Sequence, residues 1–307
     1  MTDRLKQWRS RLKLPLVAAP MFLISGPELV IAACRAGVIG SFPTPNARTV
    51  AQLDEWFDRI TSELDETHAP WAANVVVHRS NSRLDEDLEL VIRYKAPIVI
   101  TALGSPRAIV ERVHAYGGLV FADVNSVPFA RKAVDAGVDG LVLVAAGAGG
   151  HTGQMTGFSF VPAVREFFDG PVILGGGITN GAGIRAAEVL GADLAYIGTR
   201  FIACEESLAV PDYRAMLISS TVDDLILTRA ITGVAANWLK PSIVRAGMDI
   251  DAMEKNPDID FTDPQSGAKR WAQVWSAGHG VGMIDRVEPV ASLVARLREE
   301  YDDAKKR

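Results

Sequence analysis

Cysteine and histidine are scarce: the chain of 307 residues carries 2 cysteines and 5 histidines. Cys34 and Cys204 form no Cys-x-x-Cys pair and no Cys/His array of zinc-ligand spacing. A disulfide scaffold and a structural zinc site are therefore excluded, and no metal is expected. Each cysteine is read as a small core residue, because a free thiol packs as a hydrophobe. No apolar run approaches the ~18 residues that cross a bilayer. The opening Met1-Thr2-Asp3-Arg4-Leu5-Lys6-Gln7-Trp8 contains no apolar core of a secretory signal. No membrane partner is expected, and a cytoplasmic location with reduced thiols is. Basic charge is also short: 32 Lys+Arg against 37 Asp+Glu give a net charge of −5. A nucleic-acid-binding domain carries a basic surplus, so no nucleic-acid partner is expected.

What is present is a globular composition, 48% hydrophobic and 22% charged, in a length that one α/β barrel can occupy. Short apolar runs alternate with amphipathic ones. The predicted strands are Leu14–Ala19, Val38–Phe42, Ala72–Val77, Ile98–Thr101, Leu119–Asp123, Gly140–Val144, Val172–Leu174 and Leu194–Ile197. They are rich in Val, Ile and Leu with little polar alternation, as in parallel strands buried on both faces. Helices are predicted over 28–36, 50–64, 84–94, 107–116, 127–136, 161–168 and 184–190. Gly37, Gly117, Gly137 and Gly191 stand where a left-handed residue would end a helix. Eight such units predict a (β/α)8 TIM barrel, with an open doubly wound sheet as the alternative. Residues 205–285 break the alternation, with one predicted helix at 213–219 and a polar stretch containing Lys255-Asn256-Pro257-Asp258 and Thr262-Asp263-Pro264. The expected organisation is a barrel from 1–204 and 286–307, with 205–285 as a small insertion or lid packed on it. A charged amphipathic helix, 287–305, closes the chain.

Two glycine-rich segments follow the last two predicted barrel strands: Gly175-Gly176-Gly177, and Gly198-Thr199. In a barrel these two C-terminal loops form the common phosphate site. Glycine lets backbone N–H groups approach phosphate oxygens, and the Thr199 hydroxyl adds a donor. The segment Gly181-Ala182-Gly183-Ile184-Arg185-Ala186 fits G-x-G-x-x-A, but it does not follow its strand directly and no acidic residue ends the next strand. A dinucleotide fingerprint requires both, so this one is rejected.

The sixth strand runs into Ala145-Ala146-Gly147-Ala148-Gly149-Gly150-His151-Thr152-Gly153-Gln154. This loop belongs to the catalytic face of a barrel. His151 is the candidate general base, because histidine titrates near neutrality. His279, in the glycine-rich Gly278-His279-Gly280, and His78, just after strand three, are candidate substrate contacts. His68 and His114 are read as solvated.

Taken together, these segments resemble the nitronate monooxygenases, once called 2-nitropropane dioxygenases, over nearly the whole chain. The motifs that carry the resemblance are Ala18-Ala19-Pro20-Met21, Asn74, Gly149-Gly150-His151-Thr152-Gly153, Gly175-Gly176-Gly177, Gly198-Thr199, Asn237-Trp238-Leu239-Lys240-Pro241-Ser242 and Gly278-His279-Gly280. The resemblance implies an FMN-dependent barrel oxidoreductase that oxidises alkyl nitronates, and nitroalkanes, with O2 to a carbonyl compound and nitrite. It implies FMN contacts at Ala19, Pro20, Met21, Asn74, Gly150, Gly175, Gly176, Gly177, Gly198 and Thr199, with His151 catalytic. The alternative it leaves open is an NAD(P)H-dependent FMN reductase of quinones or enoyl thioesters on the same fold. Two positions depart from the pattern. Val144-Ala145 stand where many members carry Gln-Gly or Glu-Gly, and Gln154 stands where a glutamate commonly follows Gly-Gly-His-x-Gly in the enoyl reductases. The sequence also leaves open a homo-oligomer and a non-catalytic flavin-binding protein. A nucleotide dehydrogenase barrel is disfavoured, because neither cysteine sits in a glycine-rich loop.

Overall fold

The computed structural model of the chain describes residues 7–250 and 273–307. Eight parallel strands close into a barrel: β1 (Leu16–Ala18), β2 (Ile39–Pro43), β3 (Trp71–Val76), β4 (Ile98–Ala102), β5 (Leu119–Val124), β6 (Gly140–Val144), β8 (Val172–Gly175) and β9 (Leu194–Ile197). Closure is made by β1 on β9, with Val17 opposite Tyr196. The predicted strands are all present, with ends within two residues of expectation.

Successive side chains on a strand point to opposite faces, and here both faces are apolar. Phe42, Val75, Val99, Leu141 and Leu143 pack outward against the helices. Val17, Ile39, Ala72, Ile98, Phe121, Val142, Ile173 and Leu194, one from each strand, fill the lumen together with Trp8. Two residues further along each strand the inward positions at the C-terminal mouth are Ala19, Ser41, Asn74, Ile100, Asp123, Val144, Gly175 and Tyr196. Among the described residues the lumen is thus apolar below and carries polar side chains only in this upper layer.

Helices follow the strands. The expected caps Gly37, Gly117, Gly137 and Gly191 all adopt positive φ. One helix starts earlier than its apolar pattern suggests: it spans Gly157–Arg165 and carries Pro162 inside it. The rejected G-x-G-x-x-A segment opens the helix Gly181–Leu190. A Cβ on Gly181 would lie 2.1 Å from the backbone N of Tyr301. That glycine therefore serves close packing on the terminal helix Val290–Lys305, and its N–H is taken by the Glu300 carboxylate at 2.8 Å.

Residues 205–285 hold more regular structure than one helix. Besides Pro211–Ser219 there are β10 (Leu225–Thr228), β11 (Ala236–Leu239) and the helix Lys240–Arg245. β10 and β11 pair antiparallel, and β11 also pairs with β7, the two-residue strand Gly150–His151 that follows β6. Cys204 and Glu288 form a parallel bridge, so the chain leaves the barrel and returns beside its point of departure. Lys255 to Asp258 and Thr262 to Pro264 lie outside the described residues. Among the described residues no helix is long and apolar enough to cross a membrane.

Candidate active site

Four glycine-rich segments meet at the barrel mouth. The carbonyl of Gly147 accepts from the backbone N–H of Gly177 (3.2 Å) and of His279 (3.0 Å). The Thr199 hydroxyl accepts from the N–H of Gly278 at 2.9 Å. A Cβ on Gly149 would come within 2.7 Å of the Gly278 nitrogen, so the loop after β6 and the late Gly278-His279 loop touch through bare backbone. The loops after β8 and β9, expected to bind phosphate, are thereby joined to both.

Gly176 and Gly177 hold φ of 130° and 69°, and space is open beside Gly177 where a side chain would project. Beside them Gly198 precedes Thr199, the first residue of the short helix Thr199–Ile202. The result is a glycine-walled cradle with a hydroxyl at its edge, a form in which backbone N–H groups can approach an anion.

Ala19-Pro20-Met21 continues from β1 along the same rim. The N–H of Ala19 donates to the Ile197 carbonyl at 2.9 Å, and the Met21 sulfur lies against Gly198. Asn46 fixes this segment: its side-chain amide donates to the carbonyls of Met21 (2.9 Å) and Ser25 (2.8 Å) and accepts from the N–H of Leu23 at 2.8 Å. Leu23 is held at φ 65°. Nothing in the local sequence of Asn46 distinguishes it from a surface turn residue. Asn74 is buried in β3 and donates to the Ile100 carbonyl at 3.1 Å.

His151 is held by sheet pairing. Gly150 and His151 lie opposite Asn237 and Ala236 in the antiparallel ladder, and the Thr152 N–H donates to the Ala235 carbonyl at 3.0 Å. Desolvation pushes the His151 imidazole down to about 4, so it is neutral at pH 7 and able to take a proton. His279 stands elsewhere, with its ring against Gly147, on the phosphate-loop side of the mouth. His78 follows β3, and its Nδ1 is engaged by the Ser80 hydroxyl at 2.7 Å within its own loop. Both cysteines are buried free thiols pushed up to about 12 by desolvation.

Residues 51–300 match the family model for nitronate monooxygenase. The chain belongs to the nitronate monooxygenase family. The chain spans 62–64% of the length of the first curated relatives it matches. A putative monooxygenase of Mycobacterium tuberculosis is 32% identical over 232 residues, covering 70% of this chain and 62% of that relative's length. FabK from Thermotoga maritima superposes with a TM-score of 0.83 at 25% identity, covering 100% of this chain and 98% of the other. A nitroalkane oxidase from Streptomyces ansochromogenes does so with a TM-score of 0.82 at 25% identity, covering 98% and 99%.

Proposed function

We propose that this protein is an FMN-dependent nitronate monooxygenase that converts alkyl nitronates, and the nitroalkanes they derive from, with O2 to a carbonyl compound and nitrite. The observation that carries the reading is the junction of a phosphate cradle (Gly175–Gly177, Gly198, Thr199) with the β7 strand that presents a desolvated, neutral His151. FMN suits the cradle better than FAD, because the one dinucleotide-like segment is spent on helix packing at Gly181. When bound, FMN supplies the electron transfer between nitronate and O2.

The chain's own residues do the rest. The glycine loops and Thr199 hold the phosphate, Gly150 and Asn74 line the flavin, and Ala19-Pro20-Met21 backs it, with Asn46 keeping that segment in place. His151 takes the proton from the carbon beside the nitro group when the neutral nitroalkane arrives; a base so placed contributes ~10²–10⁴-fold. His279, bonded through its backbone to Gly147, belongs in this reading to the phosphate side, and His78 to the outer rim.

The test is spectroscopic. The purified protein is expected to carry non-covalent flavin. Ethyl nitronate added without oxygen should bleach it faster than NADH or NADPH does. Fast bleaching by a nicotinamide and none by the nitronate would replace this reading with the reductase one. A protein that takes up no FMN would remove both.

A further inference from the structure

Two oxygens in the upper layer of the lumen are not used by the chemistry above. Asp123 ends the inward row Leu119, Phe121, Asp123 of β5, and Tyr196 ends the inward row of β9 above Leu194. The Tyr196 ring packs on the apolar lumen and beside Gly175. Among the described residues, Asp123 Oδ1 and the Tyr196 hydroxyl are buried and have no hydrogen-bond partner. Such groups cost folding free energy and call for a reason. Both belong to the inward layer at the C-terminal mouth, with Asn74 and Gly175. The loop that carries His151 lies over this end of β5, since a Cβ on Gly153 would meet the Val144 and Asn125 carbonyls.

We propose that Asp123 and Tyr196 form an oxyanion site, a carboxylic acid and a phenol that together donate hydrogen bonds to one substrate oxygen as negative charge gathers on it. The ligand class is an anion with its charge on oxygen next to the carbon that loses its proton: a nitronate, or the enolate form of a thioester. His151 removes the proton and this pair receives the charge. The proton on Asp123 stays there, so only hydrogen bonds form and break. The inference deepens the proposed function and rests on it for the identity of the substrate, not for the pair itself.

Physical chemistry supports the pairing. The flanking strands β4 and β6 carry no ionisable side chain. Desolvation raises the Asp123 carboxyl to about 7. The Tyr196 phenol is raised well above its ordinary value by burial and then by the field of Asp123, so it keeps its proton. Below about pH 7 the Asp123 carboxyl carries its proton, and a carboxyl kept neutral by an apolar site is an established form of oxyanion donor. Val144 offers no polar atom on the adjacent strand, and the other polar side chains of the layer, Ser41 and Asn74, donate to the Ala18 and Ile100 carbonyls.

The experiment compares Tyr196→Phe, Asp123→Leu and Asp123→Asn in the flavin-loaded protein. It reads turnover of nitroethane, on whose deprotonation the charge gathers, with ethyl nitronate beside it, and, by calorimetry, binding of nitrate as an unreactive planar oxyanion. Loss of one oxyanion donor typically costs ~10²–10³-fold in turnover. That loss is expected on nitroethane for Tyr196→Phe and Asp123→Leu, with nitrate binding weakened in parallel. Asp123→Asn retains a neutral donor and should stay within about tenfold of the parent on both readouts. Infrared difference spectra should contain a protonated carboxyl band that vanishes in Asp123→Asn. The proposal is overturned if Tyr196→Phe matches the parent on both readouts, or if Asn is as damaging as Leu, which would mean an ionised carboxylate is needed. Should Asp123→Leu fail to retain flavin, the other two variants decide. If the parent ignores the nitronate but the same order of variants appears with a 2-enoyl thioester plus NADH, the oxyanion pair stands and the nitronate reading falls.

Discussion

Asn237 donates its side-chain amide to the Ala148 carbonyl at 2.7 Å, across 89 residues of sequence. It is buried, and it lies opposite Gly150 in the β11–β7 ladder. The excursion after the barrel thus clamps the glycine-rich loop and sets the residue next to His151. Asn237→Ala leaves the Ala148 carbonyl unpaired at a cost of about 1–3 kcal/mol. It should also lower turnover ~10-fold or more, because small misplacements of a catalytic group are expensive. Steady-state kinetics beside thermal melting measures both. A normal rate with a lowered melting point would make the clamp structural only.

The cradle makes its own prediction. Gly177 has room for a side chain but a φ of 69°, which Asp tolerates better than most residues. Gly177→Asp should fold, with ~1–2 kcal/mol of strain, and place a carboxylate against the phosphate. Juxtaposed like charges cost several kcal/mol, so FMN affinity should fall ~10²-fold or more. Equilibrium dialysis of FMN measures it. Unchanged affinity would put the phosphate elsewhere. Gly176 is the poorer site for this test, because a Cβ there would meet the Ala146 carbonyl at 2.8 Å.

Stability should depend on pH through two groups of opposite sign. His151 falls from 6.5 to about 4 on folding. The unfolded chain then binds the extra proton, so a penalty absent above about pH 6.5 grows as pH falls to 4, reaching order 3 kcal/mol. Asp123 rises from 3.8 to about 7. Its penalty is absent below about pH 4 and grows as pH rises to 7. His151→Gln should therefore gain on the parent in melting temperature as the pH is lowered, and Asp123→Asn as it is raised. Parallel curves for parent and variants would show that neither group titrates as its burial dictates.

The barrel was legible because strands buried on both faces read as apolar runs, and because the glycines at 37, 117, 137 and 191 punctuate the helices. The phosphate loops were legible from their place after the last two strands. The three-stranded sheet was not: β7 is two residues, Gly150 and His151, with no apolar pattern, and its partner lies far along the chain. Asn46 and Asn237 act through single long-range hydrogen bonds that leave no local pattern. Asp123 and Tyr196 had a signal, a polar residue on the inward row of an otherwise apolar strand, but reading it requires the register that only closure of the barrel supplies.

The role of His151 is tested most directly by replacing it with asparagine and comparing nitroethane with its pre-formed nitronate. Nitroethane still carries the proton that a base must remove, whereas the nitronate has lost it. Turnover of nitroethane should fall ~10²-fold or more, turnover of the nitronate much less, and flavin content should hold, because the phosphate loops lie on β8 and β9. Equal losses on both substrates would contradict the assignment of His151 as the base.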